Sequence, residues 1–150
     1  MAFYIENRIG VAAPPHVIWA ILSDLEGWWS WTGLYRDVSG TLRIGAPITA
    51  ELVLPGEKPE RVQWTVLDWA PDIQIHLRLK FFGGLLTTTR YLEIEKLSEE
   101  GCIFGNGEMF RGPLARFMPR RLKAAVRQAF LTMSEALKEK AEAAFKAQKR

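Results

Sequence analysis

Two charged side chains stand out because the strand pattern sends them inward. Arg90 and Glu108 lie in the alternating stretches TTTRYLEIEKL and CIFGNGEMF, among apolar residues of the same face. A buried guanidinium and a buried carboxylate must each find a partner, so an Arg90–Glu108 pair is expected. Such a pair can hook a ligand carboxylate, hydroxyl or carbonyl, or it can be purely structural at the rim of a sheet. Glu108 in apolar surroundings can also hold a raised pKa and work as a general acid or base. Aromatic rings are the second signal: Trp28, Trp29 and Trp31 fall within four residues, and Trp64 sits mid-strand. Such rings suit planar or apolar ligands, and they equally plug the end of a sheet.

Other chemistry finds little support. His16 at a helix start and His76 on the polar face of a strand have no companions at metal-ligand spacing, so no metal site is expected. Cys102 follows Glu99 and Glu100, which disfavour a thiolate nucleophile. No serine stands in a Gly-x-Ser-x-Gly elbow and no glycine-rich phosphate loop is present, so no cofactor is expected. Gly105 and Gly107, around Asn106, suit a bulge or a close backbone approach.

The elements that must position these residues read clearly. FYIENRIGV alternates as a strand, and Pro14-Pro15 then suit a helix start. Val17, Ile18, Ile21, Leu22 and Leu25 recur at helical spacing up to Gly27. About six strand-like runs follow, punctuated by Gly40, Gly45, Pro55-Gly56, Ala70-Pro71, Gly83-Gly84 and SEEG at 98–101. In IQIHLRLKF, Ile73, Ile75, Leu77, Leu79 and Phe81 are expected on one face. Leu122, Val126, Phe130, Met133, Leu137, Ala141 and Phe145 then trace the stripe of one long helix, which Pro119 either starts or kinks. Sequential strands joined by tight turns are antiparallel, and only that helix is long enough to cover their apolar face.

The turns suggest a register. A two-residue Ala70-Pro71 turn puts Val66 opposite Ile75 and Trp64 opposite Leu77. The Gly83-Gly84 turn puts Arg90 near Leu77 and Leu92 near Ile75, and the SEEG turn puts Glu108 near Leu92 and Phe110 near Arg90. Thr88, Arg90, Leu92 and Ile94 then point inward; a slip of one residue would reverse every one of these faces. A candidate chamber follows, with Trp64, Val66, Ile75, Leu77 and Leu92 on the sheet and Trp29 or Trp31 as a wall. Phe110, Phe117 and Phe130 complete it, with Arg90 and Glu108 as its few polar groups. Trp64, Phe110 and Phe130 are large enough to fill such a chamber themselves.

Length and composition bound the rest. The chain has 150 residues, which suits one domain over 1–150. Hydrophobic residues at 48% and charged residues at 25% exclude a disordered or collagen-like chain, and a lone cysteine excludes an intrachain disulfide. No apolar run reaches the length of a membrane span, and MAFYIENRIG lacks the layout of a secretory signal, so a cytoplasmic protein is expected. Charge is uneven. Residues 1–75 carry 5 basic and 9 acidic side chains, and residues 76–150 carry 15 and 8. The stretch 111–127 holds Arg111, Arg116, Arg120, Arg121, Lys123 and Arg127 without an acid. It is either a solvated helix face or a weak contact for an anionic membrane; nucleic acid is not expected, since no reading motif accompanies it.

Four segments together carry a family resemblance: APPHVIWAILSDLEGWWSW after the first strand, GTLRIGAPITAEL, VLDWAPDIQIHLRL, and EMFRGPLARFM leading into the last helix. Their order and spacing resemble the START-like or SRPBCC superfamily, which includes polyketide cyclases and dehydrases and lipid-transfer domains. The resemblance covers nearly the whole chain. It implies an α+β helix-grip fold: a curved antiparallel sheet of six to seven strands around a long C-terminal helix, with two short helices after the first strand. It also implies a cavity for a hydrophobic small molecule, but no particular reaction. Carriage of a lipid, isoprenoid or polyketide-like molecule is one expectation. A cyclase- or dehydrase-type enzyme using Arg90 and Glu108 is the alternative, disfavoured by the absence of an inward histidine. A docking module using 111–127 is a third. Either a monomer or a homodimer fits.

Overall fold

The computed structural model describes residues 2–149. Strand β1 (Ala2–Val11) leads into helix α1 (Pro15–Ser23), a 3-10 turn at Leu25–Gly27 and the short helix α2 (Trp29–Thr32). Six strands follow: β2 (Tyr35–Gly40), β3 (Pro47–Leu52), β4 (Glu60–Ala70), β5 (Gln74–Phe81), β6 (Leu86–Ser98) and β7 (Gly101–Arg111). Helix α3 (Arg120–Gln148) closes the chain. The strands form one antiparallel sheet in the order β1-β7-β6-β5-β4-β3-β2. The helices after β1 carry the chain to the far edge of the sheet, and the meander returns it to β1. This is the helix-grip α+β arrangement.

Local chemistry explains the joints. Pro119 is the N-cap of α3 and the helix begins one residue later, so the proline starts the helix and does not kink it. The stripe on α3 buries Val126, Phe130, Met133, Leu137 and Ala141, while Leu122 and Phe145 pack at its ends. Burying Phe130, Met133 and Leu137 contributes roughly 1.5–3 kcal/mol each. Trp19 of α1 stacks on Trp69 at the end of β4, with ring centroids 6.2 Å apart. No helix among the described residues is long and apolar enough to cross a membrane.

The sheet register departs from the turn-based reading in three places. Ala70 pairs with Gln74, so the β4–β5 turn spans three residues, and Ile73 is exposed in it instead of facing the core. A bulge between Val66 and Asp68 then sets Val66 opposite Leu77. At the β6–β7 turn, Ser98 pairs with Gly101 and a bulge follows, which sets Arg90 directly opposite Glu108 and Thr88 opposite Phe110. At Val66 and at Arg90 the slip amounts to two residues along the strand, so the inward faces of Trp64, Val66, Arg90 and Glu108 are preserved. The β5–β6 pairing is as the turns suggested, with Leu77 opposite Arg90 and Ile75 opposite Leu92.

One contact locks α3 to the β1–α1 junction. Glu142 Oε2 accepts hydrogen bonds from the Ala12 backbone N–H at 2.8 Å and from Lys138 Nζ at 2.6 Å. The Ala12 bond, and then Lys138, hold the Glu142 carboxyl below its ordinary pKa. A depressed folded pKa gives stability that is present above the unfolded pKa and lost as pH falls through the folded one. Glu142→Gln is therefore expected to cost about 1 kcal/mol near neutral pH. The gap to the parent should close in acid, and thermal melts across that range measure it.

Candidate functional site

The inner face of the sheet builds the site by simple alternation. Along β7, Glu108 stands between Asn106 and Phe110; Ile5 of β1 flanks it on one side and Arg90 of β6 on the other. Arg90 is 1% exposed. Its guanidinium lies 4.0 Å from the Phe130 ring centroid, so α3 presses an aromatic face onto the cation. Arg90 Nε donates to the Tyr35 hydroxyl at 2.6 Å and Nη1 donates to the Gly107 carbonyl at 2.8 Å. Nη2 meets the Met133 sulfur at 3.2 Å.

The expected Arg90–Glu108 ion pair is absent among the described residues, although the two residues are direct cross-strand neighbours. Neutral oxygens occupy the guanidinium instead. Glu108 makes no hydrogen bond to Arg90, and the buried Thr88 hydroxyl stands beside the carboxyl as a donor to it. Protein surrounds the Glu108 carboxyl on the inner face of the sheet, and the residue as a whole is half-buried. Burial raises its pKa above the ordinary carboxylate value, against the opposing pull of Arg90 and Thr88. Burial likewise raises the Tyr35 phenol, with Arg90 pulling the other way. Because Tyr35 accepts from Arg90, its own O–H remains free to donate. This part of the inner face therefore holds a phenol, a threonine hydroxyl and a carboxyl able to hold or release a proton.

Aromatic and aliphatic residues wall this polar group. Trp64 is buried edge-on against Tyr35 at 5.1 Å and against Trp28 at 6.5 Å. Trp31, Val66, Ile75, Leu77, Leu92, Phe110 and Phe130 are buried in the same core. Two other candidates stand elsewhere. Trp29 is 43% exposed, with Arg36 over its ring, and Phe117 is 65% exposed beyond β7. Trp28 takes the interior position, where its Nε1 donates to the Leu22 carbonyl at 2.9 Å. Sequence reasoning missed Tyr35 as a site residue. Strand β2 has six residues and an irregular pairing after Arg36, too short a run for alternation to assign its face. The hydrophobic-to-polar step in LYRDV was the available signal.

The remaining titratable groups lie apart. His76 meets Glu93 at 2.9 Å across β5 and β6, and no cluster of three metal-ligating side chains occurs among the described residues. Gly107 is a close approach: a Cβ there would fall 2.4 Å from the Tyr91 ring. Cys102 is 2% exposed, and burial, not the acidic turn beside it, raises its thiol pKa. Ellman's reagent is expected to leave Cys102 unreacted in the folded chain and to titrate one thiol after denaturation; rapid reaction in native buffer would contradict this burial.

Comparison with known proteins agrees with this architecture. The family model described as polyketide cyclase / dehydrase and lipid transport matches residues 3–142. No protein of curated function matches the sequence. Among solved structures, the Zhui aromatase/cyclase from Streptomyces sp. R1128 superposes with a TM-score of 0.75 at 19% identity, over 95% of this chain and 94% of that one. Norcoclaurine synthase from Thalictrum flavum gives a TM-score of 0.69 at 14% identity, over 93% and 92%. A START superfamily protein from Mycobacterium smegmatis gives 0.67 at 16% identity, over 97% and 98%. At these identities the likeness concerns the fold.

Proposed function

Because this chain belongs to the polyketide cyclase/dehydrase and lipid-transport family, we propose that it binds a hydrophobic small molecule between the sheet and α3, with one polar atom of that molecule against Glu108. One observation carries this reading. Glu108, Thr88 and Tyr35 bring three polar groups together within aromatic walls, and the Glu108 carboxyl has no ion-pair partner there. Buried carboxyls in folded proteins are nearly always paired, so one without an ion partner among aromatic walls is a place for a ligand's polar atom. A carbonyl or hydroxyl on a lipid, isoprenoid or polyketide-like molecule supplies what is missing: an acceptor for Tyr35 and Thr88, and a donor or acceptor for Glu108. The tight packing around Trp64, Phe110 and Phe130 means that a sizeable ligand must displace side chains on entry.

The raised Glu108 pKa also favours a catalytic form of the same reading. A carboxyl whose pKa burial raises can exchange a proton with a bound carbonyl compound, while Tyr35, held by Arg90, donates to its oxygen. Both forms predict an occupied or occupiable site between the sheet and α3. Native mass spectrometry of freshly purified protein, beside a denatured control, is expected to show a mass excess that disappears on denaturation. A bare chain that also gains no thermal stability from fatty acids, isoprenoids or aromatic polyketides would overturn the proposal.

A further inference from the structure

One end of the molecule carries an apolar tip ringed by cations. Phe82, Phe117 and Leu85 are 71%, 65% and 49% exposed. They sit on two loops that the backbone ties together. Leu114 N–H donates to the Leu85 carbonyl at 3.2 Å. Gly112, at φ +113°, packs so closely that a Cβ would fall 2.5 Å from the same carbonyl oxygen. Single exposed apolar residues need no explanation, but Phe82 is different. It is a bulky residue held at φ +54°, a strained conformation, and its ring still reaches solvent instead of the core. That conformation opens the β5–β6 turn, where the Phe82 carbonyl accepts from Leu85 N–H at 3.3 Å, a position that glycine would fill without strain.

The charge of the tip's own segments has one sign. The two segments that form the tip, 73–92 and 109–134, contain no acidic residue. Arg111, Arg116 and Arg120 are exposed there, and Lys80 stands on the β5 arm. The Arg116 guanidinium lies 4.8 Å from the Phe117 ring. Glu57 reaches in from the β3–β4 loop and pairs with Arg121 at 2.8 Å. Arg111, Arg116 and Arg120 have no acidic partner among the described residues.

We infer that this tip docks on an anionic phospholipid surface, with Phe82, Leu85 and Phe117 entering the boundary between headgroups and acyl chains and the arginines meeting phosphates. Apolar side chains projecting beyond a ring of long cationic ones match the depth profile of such an interface. A nucleic acid or an acidic protein would use the charge and leave Leu85 and Phe82 without an apolar partner. The inference stands independently of the ligand proposal, yet the two meet. Glu108 lies three residues before Arg111 on β7, so the tip is at the end of the sheet that holds the carboxyl.

Co-sedimentation of the full chain with vesicles tests this docking. Binding is expected with phosphatidylcholine vesicles containing roughly one-third phosphatidylglycerol, and not with phosphatidylcholine alone. It should weaken steeply with salt, as the screening length falls from about 10 Å at 0.1 M to about 3 Å at 1 M. The triple variant Arg111→Gln/Arg116→Gln/Arg120→Gln should bind on the order of 100-fold more weakly. Phe82→Gly should bind about tenfold more weakly while its melting temperature holds or rises, because glycine relieves the positive φ. Phe117→Cys gives an accessible thiol, since Cys102 is buried. An environment-sensitive label there should shift to the blue on the anionic vesicles. Equal binding to neutral vesicles, or undiminished affinity of Phe82→Gly, would overturn the proposal. So would random duplex DNA that displaces the vesicles and itself depends on Phe82, since the tip would then be a nucleic-acid site.

Discussion

Arg90→Ala is expected to destabilise the fold by about 3–5 kcal/mol, the loss typical when one partner of a buried charged network is removed. Its melting temperature should fall by roughly 10 °C, taking about 2–4 °C per kcal/mol for a chain of this size. Three losses combine. The Tyr35 hydroxyl and the Gly107 carbonyl lose the donors that approach them at 2.6 and 2.8 Å. The Phe130 ring loses a cation 4.0 Å from its centroid and faces a cavity. Glu108 loses the nearest positive charge opposing its desolvation, so its pKa should rise further. Arg90→Met separates packing from charge. It refills most of the space, so it should melt clearly above Arg90→Ala while restoring no hydrogen bond. Calorimetry on the two variants decides the matter. A loss below about 1 kcal/mol for Arg90→Ala would mean that the guanidinium is not part of the structural network.

Glu108→Gln should move stability the other way. The folded chain holds the Glu108 proton more tightly than the unfolded chain, because burial raises the folded pKa. Stability therefore declines as pH rises from the unfolded pKa through the raised folded one, and the penalty is complete above it. A neutral amide carries no such penalty. The variant is expected to exceed the parent by on the order of 1–3 kcal/mol above the folded pKa, the usual cost of desolvating a polar group that its partners only partly compensate. The difference should vanish in acid below the ordinary carboxylate range, where Glu108 is protonated in both states. The same change should weaken ligand binding or abolish proton transfer, since glutamine offers no exchangeable carboxyl. Gain of stability with loss of function is the pattern of a site residue. Loss of both would make Glu108 a structural element. Urea melts across the pH range, paired with native mass spectra, distinguish the two.

Much of the architecture was legible in the order of residues because it depends on periodicity. Alternation over long runs such as IQIHLRLKF and TTTRYLEIEKL assigns faces, and a two-residue slip in register leaves those faces unchanged. That is why Arg90 and Glu108 could be read as inward neighbours even where their pairing was displaced. The stripe on α3 is legible for the same reason over 29 residues. Short segments are not. Helix α2 has four residues and β2 six, so no period develops in either. The choice of Trp28 over Trp29 for the interior, and the inward turn of Tyr35, depended on contacts that the local pattern does not encode.

What the sequence by itself determined is therefore the helix-grip architecture and the burial of Arg90 beside Glu108, because burial of apolar surface follows from spacing. What only the tertiary structure decided is who partners whom. The guanidinium has several acceptors within reach and takes Tyr35 from β2, far away in the chain, together with a β7 carbonyl, in preference to the carboxylate directly opposite. Hydrogen bonds are directional and short, so their partners are chosen by the final placement of side chains from separate elements. That choice leaves Glu108 without an ion-pair partner on the inner face of the sheet.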